Sequence, residues 1–460
     1  VDVASPLPSE EEFTQAVDEA LTPSSPVKRS DMLKGRSDQL QQIGQTLNTR
    51  GRSVFIFGPR GVGKTSLAQT AVSLFGVEGR PVIVSCDGKQ TTFRLAKEIA
   101  EALLDYDPLF AAPERKVSIN LGVFSGESKL STQTVPEPSS INEAAKIIES
   151  VLRHAGVSFE SDTAPLVLID EFDRLGSTEE RHLVGDFLKQ MGDRGLPVRF
   201  ILCGVGRSLD ELFEGHGSAF RYVASVGLDP LPLQARVDIL KAAETRVGVN
   251  FLPDQQFRIA AISDGFPYYV HLLGETVLKA HFERCREFES KGWKSGFGLV
   301  TTDDFNVGID RAVTQCHGYL KAIYNKATKK YAPQVAAESV TEYEVILWAA
   351  AAQSNFELPA NAIFHEYERL RQILETRTSS FIDEDEADAS DDSDEGEVAD
   401  SDARRKFNTR ISSLRKPTHG SILTRPRRAW WEFTEPMMRG YCRLVAKRFG
   451  LDLGGEIRSS

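Results

Sequence analysis

The chain has 460 residues, 41% of them hydrophobic, and a formal net charge of −11. That length and apolar content suit two to four domains with real cores. Five scattered cysteines (Cys86, Cys203, Cys285, Cys316 and Cys442), with no C-x-x-C pair, indicate neither a zinc site nor a disulfide framework and fit a cytoplasmic location. No signal peptide is visible, and the longest apolar run, near Val345–Ala352, is too short to span a bilayer, so no membrane partner is expected.

Residues 1–28 are polar and punctuated by Pro6, Pro8, Pro23 and Pro26. They read as a flexible arm with one short helix near Glu10–Leu21. Met32–Arg50 reads as a helix leading into Ser53-Val-Phe-Ile-Phe57, a β-branched and aromatic run typical of a buried strand. Gly58-Pro59-Arg60-Gly61-Val62-Gly63-Lys64-Thr65 follows and fits G-x-x-x-x-G-K-[ST] at every fixed position; Ser66–Phe75 is then helix-like. Glycines let backbone N–H groups close around phosphate oxygens, and the helix N-terminus favours negative charge. Gly58 to Ser66 is thus the expected phosphate cradle. Lys64 should reach the β- and γ-phosphates, and Thr65 should offer its hydroxyl to Mg²⁺.

Further strands are expected at Pro81–Ser85, Leu166–Ile169 and Val198–Leu202. Helices are expected at Thr92–Leu104, Ile141–His154 and Glu179–Gly192. This alternation argues for an α/β fold with a parallel sheet covered on both faces, over residues 29–228. Residues 112–140 interrupt it, and the alternation in Lys116–Leu121 suggests a β-hairpin insertion. The strand Leu166–Ile169 runs into Asp170-Glu171, the Walker B arrangement. Asp170 would hold Mg²⁺, and Glu171 would orient and deprotonate an attacking water.

From Asp229 the strand signal disappears. Gln234–Thr245, Asp254–Ser263, Tyr268–Arg284 and Thr302–Thr328 read as helices, so residues 229–332 form an α-helical lid-sized unit. Residues 333–460 give helices at Val340–Gln353, Ala360–Glu375 and Arg404–Lys416, short strands at Ser421–Thr424 and Trp430–Phe433, and a closing helix at Pro436–Phe449. Three helices and a hairpin make a winged helix. In Arg404–Lys416, Phe407, Ile411 and Leu414 share one face, while Arg405, Lys406, Arg410, Ser413 and Lys416 largely fall elsewhere, as a recognition helix requires. Arg425, Arg427 and Arg428 sit at the tip of the expected wing, suited to phosphate contact. Duplex DNA is the expected partner, a protein partner the alternative. Residues 383–402 hold twelve Asp or Glu and no Lys or Arg, and read as a disordered insertion. Residues 403–460 hold fourteen Lys or Arg against four Asp or Glu.

Leu33-Lys-Gly-Arg36, the glycine loop, Ile169-Asp-Glu-Phe-Asp-Arg174 and Gly204–Leu212 together resemble AAA+ ATPases of the origin-recognition/initiator type, in the prokaryotic branch with a C-terminal winged helix. The similarity spans roughly residues 30–450. It implies an ATP-binding switch with ATP hydrolase activity, using ATP and Mg²⁺; slow turnover is the expectation for this chain, from the departures named below. It implies that Gly35 and Arg36 line the adenine pocket. It also implies that Arg221, in Gly217-Ser-Ala-Phe-Arg221, reaches the γ-phosphate of a neighbouring copy in a homo-oligomer, with Arg207 the weaker alternative. Two departures stand out. Cys203 occupies the place of a polar sensor, and Ser263–His271 lacks the sensor Arg of an initiator lid. Gly265-Phe-Pro267 instead resembles the G-x-P motif of STAND-type signalling ATPases, where the neighbourhood of the Pro senses the β-phosphate. The alternative function is therefore a STAND-like signalling or defence ATPase whose C-terminal domain binds protein.

Overall fold

The computed structural model describes residues 7–27, 29–49, 51–76, 82–104, 135–159, 164–206, 222–293, 296–328, 340–379 and 395–454. They fall into two compact units, Ser25–Pro230 and Val1–Ser24 with Leu231–Ser460. The first helix, α1 (Glu10–Ala20), belongs to the second unit.

The unit Ser25–Pro230 is built on five strands: β1 (Ser53–Gly58), β2 (Val82–Ser85), β3 (Leu166–Asp170), β4 (Arg199–Val205) and β5 (Val223–Gly227). Every neighbouring pair is parallel, in the order β2-β3-β4-β1-β5. The period-2 alternation of a strand sends successive side chains to opposite faces. Phe55, Val167, Ile169, Phe200 and Leu202 join one core with α4 (Thr92–Leu104), α5 (Ile141–His154) and α6 (Thr178–Asp193). Ile56, Leu168 and Ile201 are as fully buried but lie outside that core. On the sheet, α3 (Lys64–Phe75) meets β1, β3 and β4, and α2 (Ser37–Leu47) meets α3, β1 and β5. Serine caps start α5 and α6: Ser140 accepts from Glu143 N, and Ser177 from Glu180 N.

The sheet matches the sequence expectation with one addition. β5, Val-Ala-Ser-Val-Gly, is short, rich in small residues and paired only with β1, so its sequence carries little strand signal. The expected hairpin at 112–140 lies almost wholly outside the described residues. Only 135–140 are described, as irregular backbone leading into α5.

The second unit begins with α1 and continues through α7 (Leu233–Val247), α8 (Pro253–Ile262), α9 (Pro267–Ser290), α10 (Thr302–Gln315) and α11 (Gly318–Thr328). The expectation of a flexible arm at 1–28 is corrected here. Phe13, Val17, Ala20 and Leu21 are buried, and the Phe13 ring stacks on Phe282 at 4.2 Å. The polar residues that made the segment look solvated cover only its outer face. The single expected helix Thr302–Thr328 is two helices, because Cys316 turns to extended backbone (ψ 155°) ahead of Gly318.

The chain then forms α12 (Glu342–Ala351), β6 (Leu358–Pro359), α13 (Ala360–Ser379), α14 (Glu395–Ser413), β7 (Leu423–Thr424), β8 (Trp430–Phe433) and α15 (Met438–Arg448). The three strands make an antiparallel sheet ordered β6-β8-β7. α14 starts well before Arg404, which corrects the expectation of disorder over the end of the acidic tract. Acidic residues suit the first turns of a helix, where the dipole is positive. Asp402 also pairs with Arg405 (2.7 Å) and Lys406 (2.6 Å), one turn on. Residues 383–394 lie outside the described ones.

Two buried arginines tie α15 back to the turn before α9. Arg439 and Arg443 are 1% and 3% exposed. Asp264, in the left-handed conformation at φ 52°, receives Arg439 Nη2 at 3.0 Å and pairs with Arg443 Nη1 at 3.0 Å. Both guanidinium groups also donate to backbone carbonyls, of Ala261, Ala351, Gln353, Ser354 and Asn355. These carbonyls and the carboxylate give both buried cations a charge and hydrogen-bond partners.

Candidate nucleotide-binding site

The glycine loop joins β1 to α3, as the order strand, loop, helix demanded. Gly58, Gly61 and Gly63 have φ of 150°, 83° and 95°, which side chains other than glycine rarely adopt. Gly58 is also sterically enforced, since a Cβ there would lie 2.3 Å from Leu228 O. Val62 is fully buried and Arg60 is exposed. Lys64 opens α3 and folds back, donating through Nζ to Gly58 O (3.1 Å) and Pro59 O (2.8 Å). Burial lowers its pKa, and the nearby carboxylates of Asp173 and Asp170 oppose that shift. The ammonium therefore sits inside the loop that incoming phosphates would line.

Thr65 Oγ1 donates to Asp170 Oδ2 at 2.9 Å. A hydroxyl and a carboxylate from two elements thus meet at the mouth of the glycine loop. This is a hard-oxygen pair that fits Mg²⁺. Ser66, the last expected cradle residue, uses its Oγ to accept Val27 N at 3.2 Å.

Glu171 stands just past β3, half-exposed, with φ 53° and ψ 36°. Its N–H donates to Asp170 Oδ1 at 2.9 Å. The 3₁₀ turn Phe172–Arg174 fixes it: Phe172 is buried edge-on to Phe55, and Asp173 Oδ1 accepts Val205 N at 2.7 Å. β4 lies between β1 and β3, as expected of the strand after the Walker B strand. Its Cys203 is buried, with the thiol pKa pushed well up by burial, and its Sγ is 4.0 Å from Lys64 O. It packs beneath α3 as a small neutral residue.

Arg36 was expected to line a base pocket. Its side chain is 4% exposed and donates to Val62 O (3.1 Å) and Asp229 O (2.6 Å). Desolvation lowers its pKa to about 10. Arg36 thus ties the glycine loop to the segment after β5, a role its sequence position did not reveal. Gly35 precedes it at φ 67°. Arg207 and Arg221 lie outside the described residues. Pro267 is in the other unit, at the first turn of α9.

Residues 32–201 match the family model described as AAA ATPase domain. The chain carries an AAA ATPase domain. The match starts just ahead of Gly35 and Arg36 and ends within β4, so it takes in the glycine loop, Asp170 and Glu171. No curated protein matches the chain. Solved structures align over most of its length. A Walker-type ATPase of Pyrococcus abyssi is 14% identical, with 91% of this chain and 99% of that chain covered and a TM-score of 0.48. The ORC2 protein of Aeropyrum pernix, in ADPNP–ADP complexes, is 13% identical (95% and 98% covered, TM-score 0.45). Cdc6p of Pyrobaculum aerophilum is 15% identical (94% and 98% covered, TM-score 0.40). At these values the likenesses assign no role to any residue outside the AAA domain.

In the C-terminal segment, Phe407, Ile411 and Leu414 are buried as expected. Arg405, Lys406 and Lys416 are exposed, as are Arg425, Arg427 and Arg428. Arg410 is not on the open face. It is 20% exposed and pairs with buried Glu342 at 3.5 Å. Ser413 is half-buried, with its Oγ turned back to Thr409 O at 3.1 Å. The outer stripe instead includes Asn408, Ser412 and Arg415, all exposed, which helical spacing from Arg405 would have identified. Arg427 lies over the Trp430 ring at 4.1 Å and pairs with Glu357 at 2.7 Å. No helix among the described residues is long and apolar enough to cross a membrane.

Proposed function

We propose that the chain is an ATP hydrolase whose nucleotide state controls its grip on duplex DNA. The observation that carries the enzymatic half is the meeting of Lys64, Thr65 and Asp170 at the loop mouth, one residue from Glu171. Phosphates entering the loop from Gly58 to Ser66 would exchange the Gly58 and Pro59 carbonyls for their own oxygens on Lys64. Mg²⁺ held by Thr65 and Asp170 would supply charge neutralisation on the β- and γ-phosphates. Glu171 takes the proton of the attacking water. A bond forms from that oxygen to the γ-phosphorus, and the bond to the ADP oxygen breaks. Turnover is slow in this reading, because Cys203 offers no polar sensor and residues 263–271 hold no Arg. A second copy would contribute Arg221. Glu171→Gln should bind ATP and fail to release it as ADP; rapid turnover in that variant would refute the assigned base.

The DNA half rests on the helix–strand–helix–helix–hairpin order from α12 to β8 and on charge. That order supports a winged helix, with α14 presenting Arg405 and Lys406 outward, Arg415 and Lys416 exposed in the turn that follows it, and Arg425, Arg427 and Arg428 at the hairpin tip. Anisotropy of labelled duplex DNA, titrated under ATP and under ADP at fixed salt, tests it. Binding that changes with nucleotide supports the switch. Absence of binding in both states favours the second reading, a STAND-like signalling ATPase whose C-terminal domain binds protein. Gly265-Phe266-Pro267 at the start of α9, without an Arg, speaks for that second reading; Pro267 would there read the β-phosphate.

A further inference from the structure

The residue expected to act as base is already engaged. Arg174 Nη1 lies 2.6 Å from Glu171 Oε2, three residues on, and both side chains are about half exposed (58% and 50%). The hydrogen bond that Arg174 donates to Glu171 is the largest cause raising the pKa of Arg174. The pair is not a chance meeting of two loose surface chains. Both residues ride on one rigid turn: Arg174 N donates to Glu171 O at 2.9 Å, Phe172 is buried beneath them, and Asp173 is bonded to the end of β4. Glu171 also sits at positive φ (53°), which sets the direction in which its side chain leaves the backbone.

A carboxylate oxygen that accepts a charge-assisted hydrogen bond is occupied and held in that direction, so it must turn away from the cation before it can receive a water molecule. We infer that Arg174 is a positioning residue that restrains hydrolysis, holding the Glu171 carboxylate in a parked state that must open before water is activated. The inference rests on the assignment of Glu171 as the base. It adds an internal brake that no fixed position of the phosphate-loop or Walker B patterns contains. Because the pair is half exposed, screening keeps its hold modest. A restraint of that size corresponds to a few-fold change in rate, not to an on–off switch.

The test is steady-state ATP turnover of the full chain for wild type, Arg174→Ala, Arg174→Lys, Glu171→Gln and the Glu171→Gln/Arg174→Ala pair. Arg174→Ala should raise kcat about two- to fivefold with KM unchanged, the scale of a screened surface pair. Arg174→Lys, which keeps the cation, should stay nearer wild type. In the Glu171→Gln background the Arg174→Ala gain should vanish, since the two residues act through one contact. An unchanged or lower kcat in folded Arg174→Ala overturns the brake while the base stands. A gain that persists with Gln at 171 also overturns it, because the effect then bypasses Glu171. Wild-type turnover in Glu171→Gln would instead remove the base assignment itself. Circular dichroism and nucleotide affinity of each variant separate these outcomes from misfolding, which would lower the rate rather than raise it.

Discussion

Gly58 has two constraints at one atom: φ at 150° and Leu228 O only 2.3 Å from where a methyl would go. Gly58→Ala should therefore cost on the order of 3 kcal/mol of stability, the range of backbone strain combined with overlap. Urea unfolding should show it, with the loss of ATP binding following from the displaced loop. The phosphate site was legible at this scale because its chemistry needs fixed residue types at fixed spacing. Lys64, Thr65, Asp170 and Glu171 are named by pattern and meet in space as the pattern requires. Arg36 and Arg174 were not legible. One bonds backbone carbonyls, which leave no trace in side-chain spacing, and the other depends on a three-residue turn whose geometry only the fold fixes.

Individual helices were legible from apolar spacing, and their ends less so. α14 shows why. Its buried stripe of Phe407, Ile411 and Leu414 was plain, but the acidic residues ahead of it look unstructured until the helix dipole and the Asp402 pairs are counted. Placement on that helix, or in the turn just after it, also sorts the cations. Arg415→Ala should weaken DNA binding and lower the log–log salt slope by about 1, as for one phosphate contact. Arg410→Ala should leave the slope alone. It should instead destabilise the fold by about 1–3 kcal/mol, because Glu342 is only 8% exposed and loses its cation. Anisotropy at several salt concentrations, beside thermal melts, separates the two. A loss of salt slope in Arg410→Ala would mean that the Glu342 pair opens on binding.

At the scale of the whole molecule, the sequence order of domains is not the spatial order of cores. Residues 1–28 read as a flexible arm, yet α1 packs with α7 and α9, more than 200 residues later in the sequence. The signal was short because one helix shows only three or four apolar positions, and nothing local says which partner they will meet. The junction carries a pH dependence. Thr22 N donates to His271 Nδ1 at 3.2 Å, and burial lowers the His271 pKa to about 4 from an ordinary 6.5. The folded state thus binds fewer protons than the unfolded state between those values. Its stabilising share is whole above pH 6.5 and is lost as pH falls toward 4, at most roughly 3 kcal/mol. Urea melts at pH 7.5 and 5.0 should show the wild type weakening and His271→Gln nearly level; equal slopes for both would deny that His271 titrates.

Phe13 and Phe282 touch in the folded protein but are made far apart in time. At ordinary synthesis rates the later residue follows the earlier by about 10–50 s. Throughout that interval the ribosome-bound chain carries Phe13, Val17 and Leu21 on one open side of its first helix, with the covering partner not yet translated. The residues of the nucleotide domain are translated in the meantime, so a nascent chain of this protein should be an early client of a holdase chaperone at its first helix until α7 and α9 emerge.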